Sequence, residues 1–314
     1  MRADTAPSRV VFMGSKRLGV RSLEALALLP DVTVAAVTLD DRDDVRSAYD
    51  DFTATCGARG IPCTVARTRA DASAALRRHE PDICVVCGWY WMVAPSDLAS
   101  VPAGFVGVHF SALPKYRGGS PLVWQMINGE PEVGISLFSF ADGVDEGPVW
   151  AQRLLPVGPD ETIGDVLPRL EDAAVQLLTT HVPRILKGDV QATPQDHSRA
   201  TYCALRRPED GEISWERSAR EVHDFIRAQS KPYPGAFTSV ERKRIAIWRS
   251  RLAATTYYGT PGQIVQVTSD GVWIVCGDHH PLIVERVGTD GTEVPAHEVL
   301  RSISLRLHSV DRSR

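Results

Sequence analysis

The stretch FVGVHFSALPKYRGG (105–119) sets a histidine, His109, where an apolar strand-forming run meets a loop of Pro, Lys, Tyr, Arg and Gly. An imidazole so placed can hold or pass a proton near neutral pH, and it needs a carboxylate to orient it or balance its charge. FADGVDEGPVW (140–150) offers three, Asp142, Asp145 and Glu146, in a turn-forming run. Asp and Gly populate turns for conformational reasons too, so sequence alone leaves both readings open. Cys84 and Cys87 form a C-x-x-C inside the apolar DICVVCGWYW (82–91). With no second Cys/His pair at zinc spacing, they read as two small buried hydrophobes and not as a metal or redox pair.

These residues need a frame. RVVFMGS (9–15), VTVAAVTLD (32–40), PCTVAR (62–67), DICVVCGWY (82–90) and FVGVHFS (105–111) read as strands. They are apolar without strict alternation and are separated by helical patterns such as VRSLEALALLP and DASAALRRHE, the latter with Asp71 as its expected N-cap. That succession predicts a parallel sheet covered on both faces. In such a sheet ligands bind beyond the carboxyl ends of the strands, which is where His109 falls. Further on, SPLVWQMINGE reads as a short helix, and GISLFSFA (134–141) with PVWAQRLLPV (148–157) as a strand pair around the acidic turn. A long helix follows, capped by Thr162, with Pro168 near its first turn and a kink or break at Pro183. Residues 191–208 are polar and strand-poor, a linker. Beyond them a helix (218–229) and short β segments with turns every ten or so positions predict a small β-barrel. The expected division is 1–190, linker 191–208 and 209–314.

Composition bounds the rest. The chain has 314 residues, 43% hydrophobic and 24% charged, with net charge −4, as befits a globular protein and not a strongly basic nucleic-acid binder. No secretory segment or membrane-spanning run is visible, so a cytoplasmic setting with reduced thiols is expected, without membrane association. FMGSKRLG lacks the full dinucleotide fingerprint, and nothing calls for a metal.

The run HFSALPKYRGGSPLVWQMINGEPEVGISLFSFADGVDEGPVWAQ resembles the active-site region of the formyltetrahydrofolate-dependent formyltransferases. The shared pattern is a His, an S-x-L-P-x-[YWH]-R-G loop, a helix ending near N-G-[DE], then G-[VIF]-[ST] and D-x-G. The FMGS turn and RRPEDGEISWERSAREVHDFIRAQSKPYPGAFTSV extend the likeness over nearly the whole chain. It implies a Rossmann-like catalytic domain followed by a small C-terminal OB-like barrel, and 10-formyltetrahydrofolate as cosubstrate. By position, His109 and Asp145 match the catalytic pair. Segments 89–93 and 140–145 match those that hold the pterin, which makes Trp91, Met92, Val93, Phe140, Asp142 and Val144 candidate cofactor-binding residues. For the aromatic run Trp89–Trp91, packing at a strand end is an equal alternative to stacking on the ligand.

One position departs from the pattern. The transferases read N-x-H, the Asn donating to the formyl oxygen, whereas this chain reads Gly107-Val108-His109. Loss of one oxyanion donor elsewhere costs roughly 3–4 kcal/mol. Transfer with the gap otherwise filled, hydrolysis of the formyl-folate, and a repurposed site in which Gly107 opens space for a bulkier acceptor all remain open. So does a folate-binding protein without turnover, against which the retained pair argues. For the acceptor, LDDRDDVRSAYDD (39–51) is acidic where the tRNA-acting branch carries a basic insertion, and residues 209–314 hold equal numbers of acidic and basic side chains. Phosphate contact dominates nucleic-acid affinity, so a small biosynthetic amine is expected in preference to tRNA. Arg117, Gly118, Arg206 and Arg207 are candidate acceptor contacts through phosphate or carboxylate recognition, with surface ion pairing as the alternative.

Overall fold

The computed structural model describes residues 6–289 and 292–308. The chain folds into two compact units. The first comprises the chain up to Pro121, Gly134–Leu155 and Pro168–Cys203; the second comprises Leu122–Val133, Pro156–Leu167 and the chain from Ala204 onward.

In chain order the first half contains β1 (Ser8–Gly14), α1 (Lys16–Ala27), β2 (Val32–Leu39), α2 (Tyr49–Arg59), β3 (Cys63–Ala66), α3 (Arg69–His79), β4 (Ile83–Cys87), α4 (Pro95–Leu98) and β5 (Phe105–His109). Then come β6 (Arg117–Gly118), α5 (Pro121–Ile127), β7 (Glu132–Ser139), β8 (Val149–Pro156), α6 (Ile163–Lys187) and β9 (Tyr202–Cys203). The main sheet has the order β3-β2-β1-β4-β5-β7-β8. Its first five strands run parallel, as the unbroken apolar runs predict, and β7 returns antiparallel to β5. β4 is buried at every residue, and α1 lays Leu18, Ser22, Leu23 and Leu26 into the interior at helical spacing. Cys84 and Cys87 are 0% and 1% exposed, and burial pushes the Cys87 thiol up to about 12, so both are packed, protonated core groups.

Three local expectations change. Thr68, not Asp71, is the N-cap of α3; Asp71 stands three residues on and closes a capping box by accepting the Thr68 amide. Of the kink or break expected at Pro183 the break does not occur, since α6 continues to Lys187. The polar stretch before residue 208 carries the short strand β9, paired parallel with β6.

The second unit contains α7 (Ala219–Arg227), then β10 (Ala236–Val240), β11 (Lys243–Leu252), β12 (Ile264–Thr268), β13 (Gly271–Val275), β14 (Pro281–Thr289), β15 (Thr292–Pro295) and α8 (Ala296–Val299). Ser218 and Glu221 form a capping box at the start of α7, a device that contributes about 1 kcal/mol. The sheet order is β10-β11-β14-β13-β12, with β15 on β14. Arg306 bridges to Gln263 ahead of β12, and His308 to Ser239 in β10, so the C-terminal segment ties the two edges together. This is the OB-like closure: a sheet that would otherwise present two open edges has them joined. Ile213, Trp215, Ile226, Ile247, Ile274 and Val287 fill its interior.

Candidate active site

His109 is the last residue of β5 and only 7% exposed. Its Nε2 lies 2.7 Å from the Tyr116 carbonyl oxygen. A carbonyl only accepts, so Nε2 carries the proton and Nδ1 is the nitrogen left for chemistry. Nδ1 lies 3.5 Å from Asp145 Oδ2.

Asp145 sits in the turn after β7 with φ 51°, the left-handed region that Asp tolerates better than most residues. Its Oδ2 also accepts the Gly118 amide at 2.8 Å. Gly118 has φ +98°, and a Cβ there would lie closer than 3.0 Å to the Cys203 carbonyl oxygen, so no other residue could stand in β6 between β9 and the acidic turn. Thus the strand end supplies the imidazole, the turn supplies the carboxylate, and the glycine loop fixes the carboxylate by a backbone hydrogen bond. The arrangement can hold a proton at Nδ1 against a carboxylate.

Arg117 is not presented to solvent. It is 1% exposed. Its guanidinium donates to Gln195 Oε1 from Nε (3.2 Å) and a terminal nitrogen (2.7 Å), to the Tyr202 hydroxyl (3.2 Å) and to His197 Nδ1 (3.2 Å). Gln195 Nε2 in turn donates to the carbonyl oxygens of Asp145 (2.8 Å) and Gly147 (2.6 Å). The candidate acceptor contact is therefore an internal brace between residues 195–202 and the Asp145 turn. Cys203 completes this corner, its thiol donating to the Arg117 carbonyl at 3.3 Å. Burial, and then the Asp145 charge, push that thiol up to about 11, so it stays protonated near neutral pH.

Gly107 leaves no open space. The ring of Phe140 lies where a side chain at 107 would go: a Cβ there would approach Phe140 Cε1 closer than 3.0 Å and Phe138 Cε1 to 3.4 Å. Phe140 stacks between Phe105 (6.3 Å) and Phe138 (5.4 Å), and Phe138 meets the His109 ring edge-on at 6.2 Å. An aromatic wall thus runs along β5 to the imidazole, and the idea that Gly107 makes room for a bulkier acceptor does not hold.

Trp91 and Val93 pack with Phe140 against one apolar cluster, together with Trp89, whose ring meets that of Trp91 edge-on at 5.5 Å. Met92, Asp142 and Val144 are exposed. Arg206 and Arg207 belong to the second unit. Arg206 lies over the rings of Trp124 (5.0 Å) and Phe225 (5.4 Å) and donates to Gln229 Oε1 at 2.7 Å, while Arg207 is exposed and its amide bonds Asp210. Sequence reasoning missed Tyr116, Phe138, Gln195, His197 and Tyr202, because the last three lie in a stretch whose polar composition resembles any linker. Among the described residues, no group of three or more His, Cys, Asp and Glu could hold a metal ion, and no helix is long and apolar enough to cross a membrane.

A Rossmann-like sheet with a histidine–carboxylate pair at its carboxyl edge is joined in sequence to an OB-like barrel, which is a two-part architecture of the α/β class. Residues 52–182 match the formyl transferase family, and residues 206–304 match the C-terminal domain of formyl transferases. The chain is 35% identical over 277 residues to a methionyl-tRNA formyltransferase of Sorangium cellulosum, covering 86% of this chain and 88% of that one. It is 32% identical over 299 residues to the methionyl-tRNA formyltransferase of Anaeromyxobacter dehalogenans, covering 93% and 95%. The crystal structure of an N-formyltransferase from Helicobacter canadensis, in complex with folinic acid and dTDP-3-aminofucose, has the same fold at TM-score 0.67 and 18% identity, over 88% of this chain and 98% of that one. The chain belongs to the formyl transferase family and is an enzyme of that class.

Proposed function

We propose that this chain transfers the formyl group of 10-formyltetrahydrofolate to the primary amine of a small biosynthetic molecule. The observation that carries the chemistry is the His109–Asp145 pair, braced from three directions by Tyr116, Gly118 and Gln195. Half-buried Phe140 and exposed Met92 and Val144 are the apolar groups available to a flat heteroaromatic ring, while Phe105 and Phe138, 2% and 3% exposed, back Phe140 from the core. When bound, the folate supplies an activated formyl carbon on N10. His109 Nδ1 takes the proton that the acceptor amine loses as its nitrogen bonds to that carbon, and returns it to the departing nitrogen. Asp145 stabilises the imidazolium in between, and the Tyr116 carbonyl keeps the ring from turning.

The preference for a small acceptor rests on the loop after β2. Its acidic residues outnumber its basic ones, and the two arginines are paired within the loop: Arg42 with Asp40 at 2.6 Å and Arg46 with Asp44 at 3.1 Å. Asp41 and Asp44 also hold Lys16, each at 2.8 Å. Burial alone would lower the Lys16 pKa, but these carboxylates and the Tyr90 hydroxyl raise it, so the ammonium is held inward as a cation. Such a loop offers little to phosphate. A methionyl-tRNA acceptor is the second reading, and relatives matched over most of their length give it more weight than charge alone does.

The deciding assay is mass spectrometry of purified protein with 10-formyltetrahydrofolate, alone, with a panel of aminosugar nucleotides and pathway amines, and with methionyl-tRNA. An N-formyl small molecule is the expected product. Formylated tRNA alone would replace this reading with the second, and acceptor-independent formate would mark hydrolysis.

A further inference from the structure

A side chain at position 107 and the Phe140 ring where it now lies exclude each other. Gly107 faces Phe138 across the β5–β7 ladder, and the Phe140 ring folds back over it. The ring tip is the far end of a side chain, but it is not free to swing away, because Phe105 stacks on one side of it and Phe138 on the other. Phe140 also packs on the cluster that holds Phe105, Val86 and Val101. An amide at 107 would therefore have to displace a ring held in an aromatic stack. Conversely, the ring covers the backbone beside His109 with hydrocarbon, which neither donates nor accepts.

We propose that Gly107 and Phe140 are one coupled pair: the Phe140 ring, packed over Gly107 two residues before His109, takes the place of a side chain at 107, and a formyl group bound against the ring is held by packing instead of by a side-chain hydrogen bond. This rests on the folate-dependent reading above. Phe140 then removes one source of discrimination: it leaves the site indifferent to whether the folate carries the formyl oxygen. A net hydrogen bond is worth about 0.5–1.5 kcal/mol, or about 2- to 12-fold in affinity, and that is the discrimination the site gives up.

Two measurements on wild type, Gly107→Asn, Phe140→Ala and the double variant test it. In thermal unfolding, Gly107→Asn alone is expected to lower Tm, and Phe140→Ala in the same chain to lessen that loss, as contacting residues do in a double-mutant cycle. Additive shifts overturn the coupling. In calorimetric binding, the probes are 5,8-dideazafolate with and without an N10 formyl group. Wild type is expected to bind the two within about threefold, and the double variant to prefer the formyl form about 2- to 12-fold more than wild type does. A wild-type preference above tenfold overturns the claim about the formyl group. Binding of neither probe overturns the folate reading and that claim with it, while the steric coupling stands or falls on the unfolding cycle alone.

Discussion

Removing the Arg117 guanidinium separates a brace from a substrate contact. The group is buried, and its polar partners among the described residues are Gln195, Tyr202 and His197, with no carboxylate. In Arg117→Ala the Gln195 Oε1 acceptor, itself 9% exposed, loses both its donors. A buried acceptor left unsatisfied costs about 1–3 kcal/mol, and the emptied volume adds a cavity cost. Relief of the guanidinium's own desolvation works the other way and offsets part of this. The net expectation is a loss of about 3 kcal/mol, or a fall in Tm of roughly 6–12 °C by differential scanning fluorimetry. Arg117→Lys should recover only part of it, since an ammonium cannot reproduce the planar fork that spans three partners. Gln195 also holds the Asp145 carbonyl, so kcat should fall with little change in acceptor KM. A Tm within 2 °C of wild type, together with a tenfold rise in acceptor KM, would falsify the brace and return Arg117 to the role of acceptor ligand.

His109→Ala should lower turnover by about 10²–10⁴-fold. Asp145→Asn keeps an oxygen to accept the Gly118 amide and so should keep Tm while losing most activity; full activity in steady-state assays would remove Asp145 from the chemistry. Peptide-resolved iodoacetamide labelling at pH 7.5 should modify exposed Cys63, whose thiol is lowered by its hydrogen bond with Cys56, well before Cys203, which is pushed up to about 11. Equal rates would show that the Cys203 corner is open. His223 in the barrel unit is 1% exposed between Ser250 and the Pro159 carbonyl, and burial, opposed by the Pro159 hydrogen bond and Asp224, holds it below its ordinary 6.5. The folded state therefore binds fewer protons than the unfolded one. That stability is complete above pH 6.5 and is lost as pH falls through the folded value. Tm measured from pH 7.5 to 5 should decline less steeply in His223→Gln than in wild type, and parallel curves would assign the decline to other groups.

The sheet and the barrel are legible in the amino-acid order, and so is His109 at a strand end; the choice of Asp145 among the three carboxylates of its turn came from the family resemblance, and the structure sets it 3.5 Å from the imidazole. Apolar runs such as ICVVC report burial on both faces of a strand, and turn chemistry such as DGVDEG reports where the chain reverses; both are local, so both can be read. Expectation and structure part where local signals compete, as between Thr68 and Asp71 or at Pro183, where the helix hydrogen-bonds on past the proline. They part again at β9, whose pairing depends on a strand far away in the chain. What each side chain meets is settled by the tertiary structure alone. Arg117 looks like a surface ligand in LPKYRGG and is a buried brace because Gln195 and Tyr202, 78 and 85 residues away, close over it. Gly107 looks like a vacancy and is a filled wall because an antiparallel return brings Phe140 back across β5. Neither partner leaves a mark on the residues beside Arg117 or Gly107. Periodicity encodes which face a residue takes, whereas packing across tens of residues is set by the collapse of the whole chain.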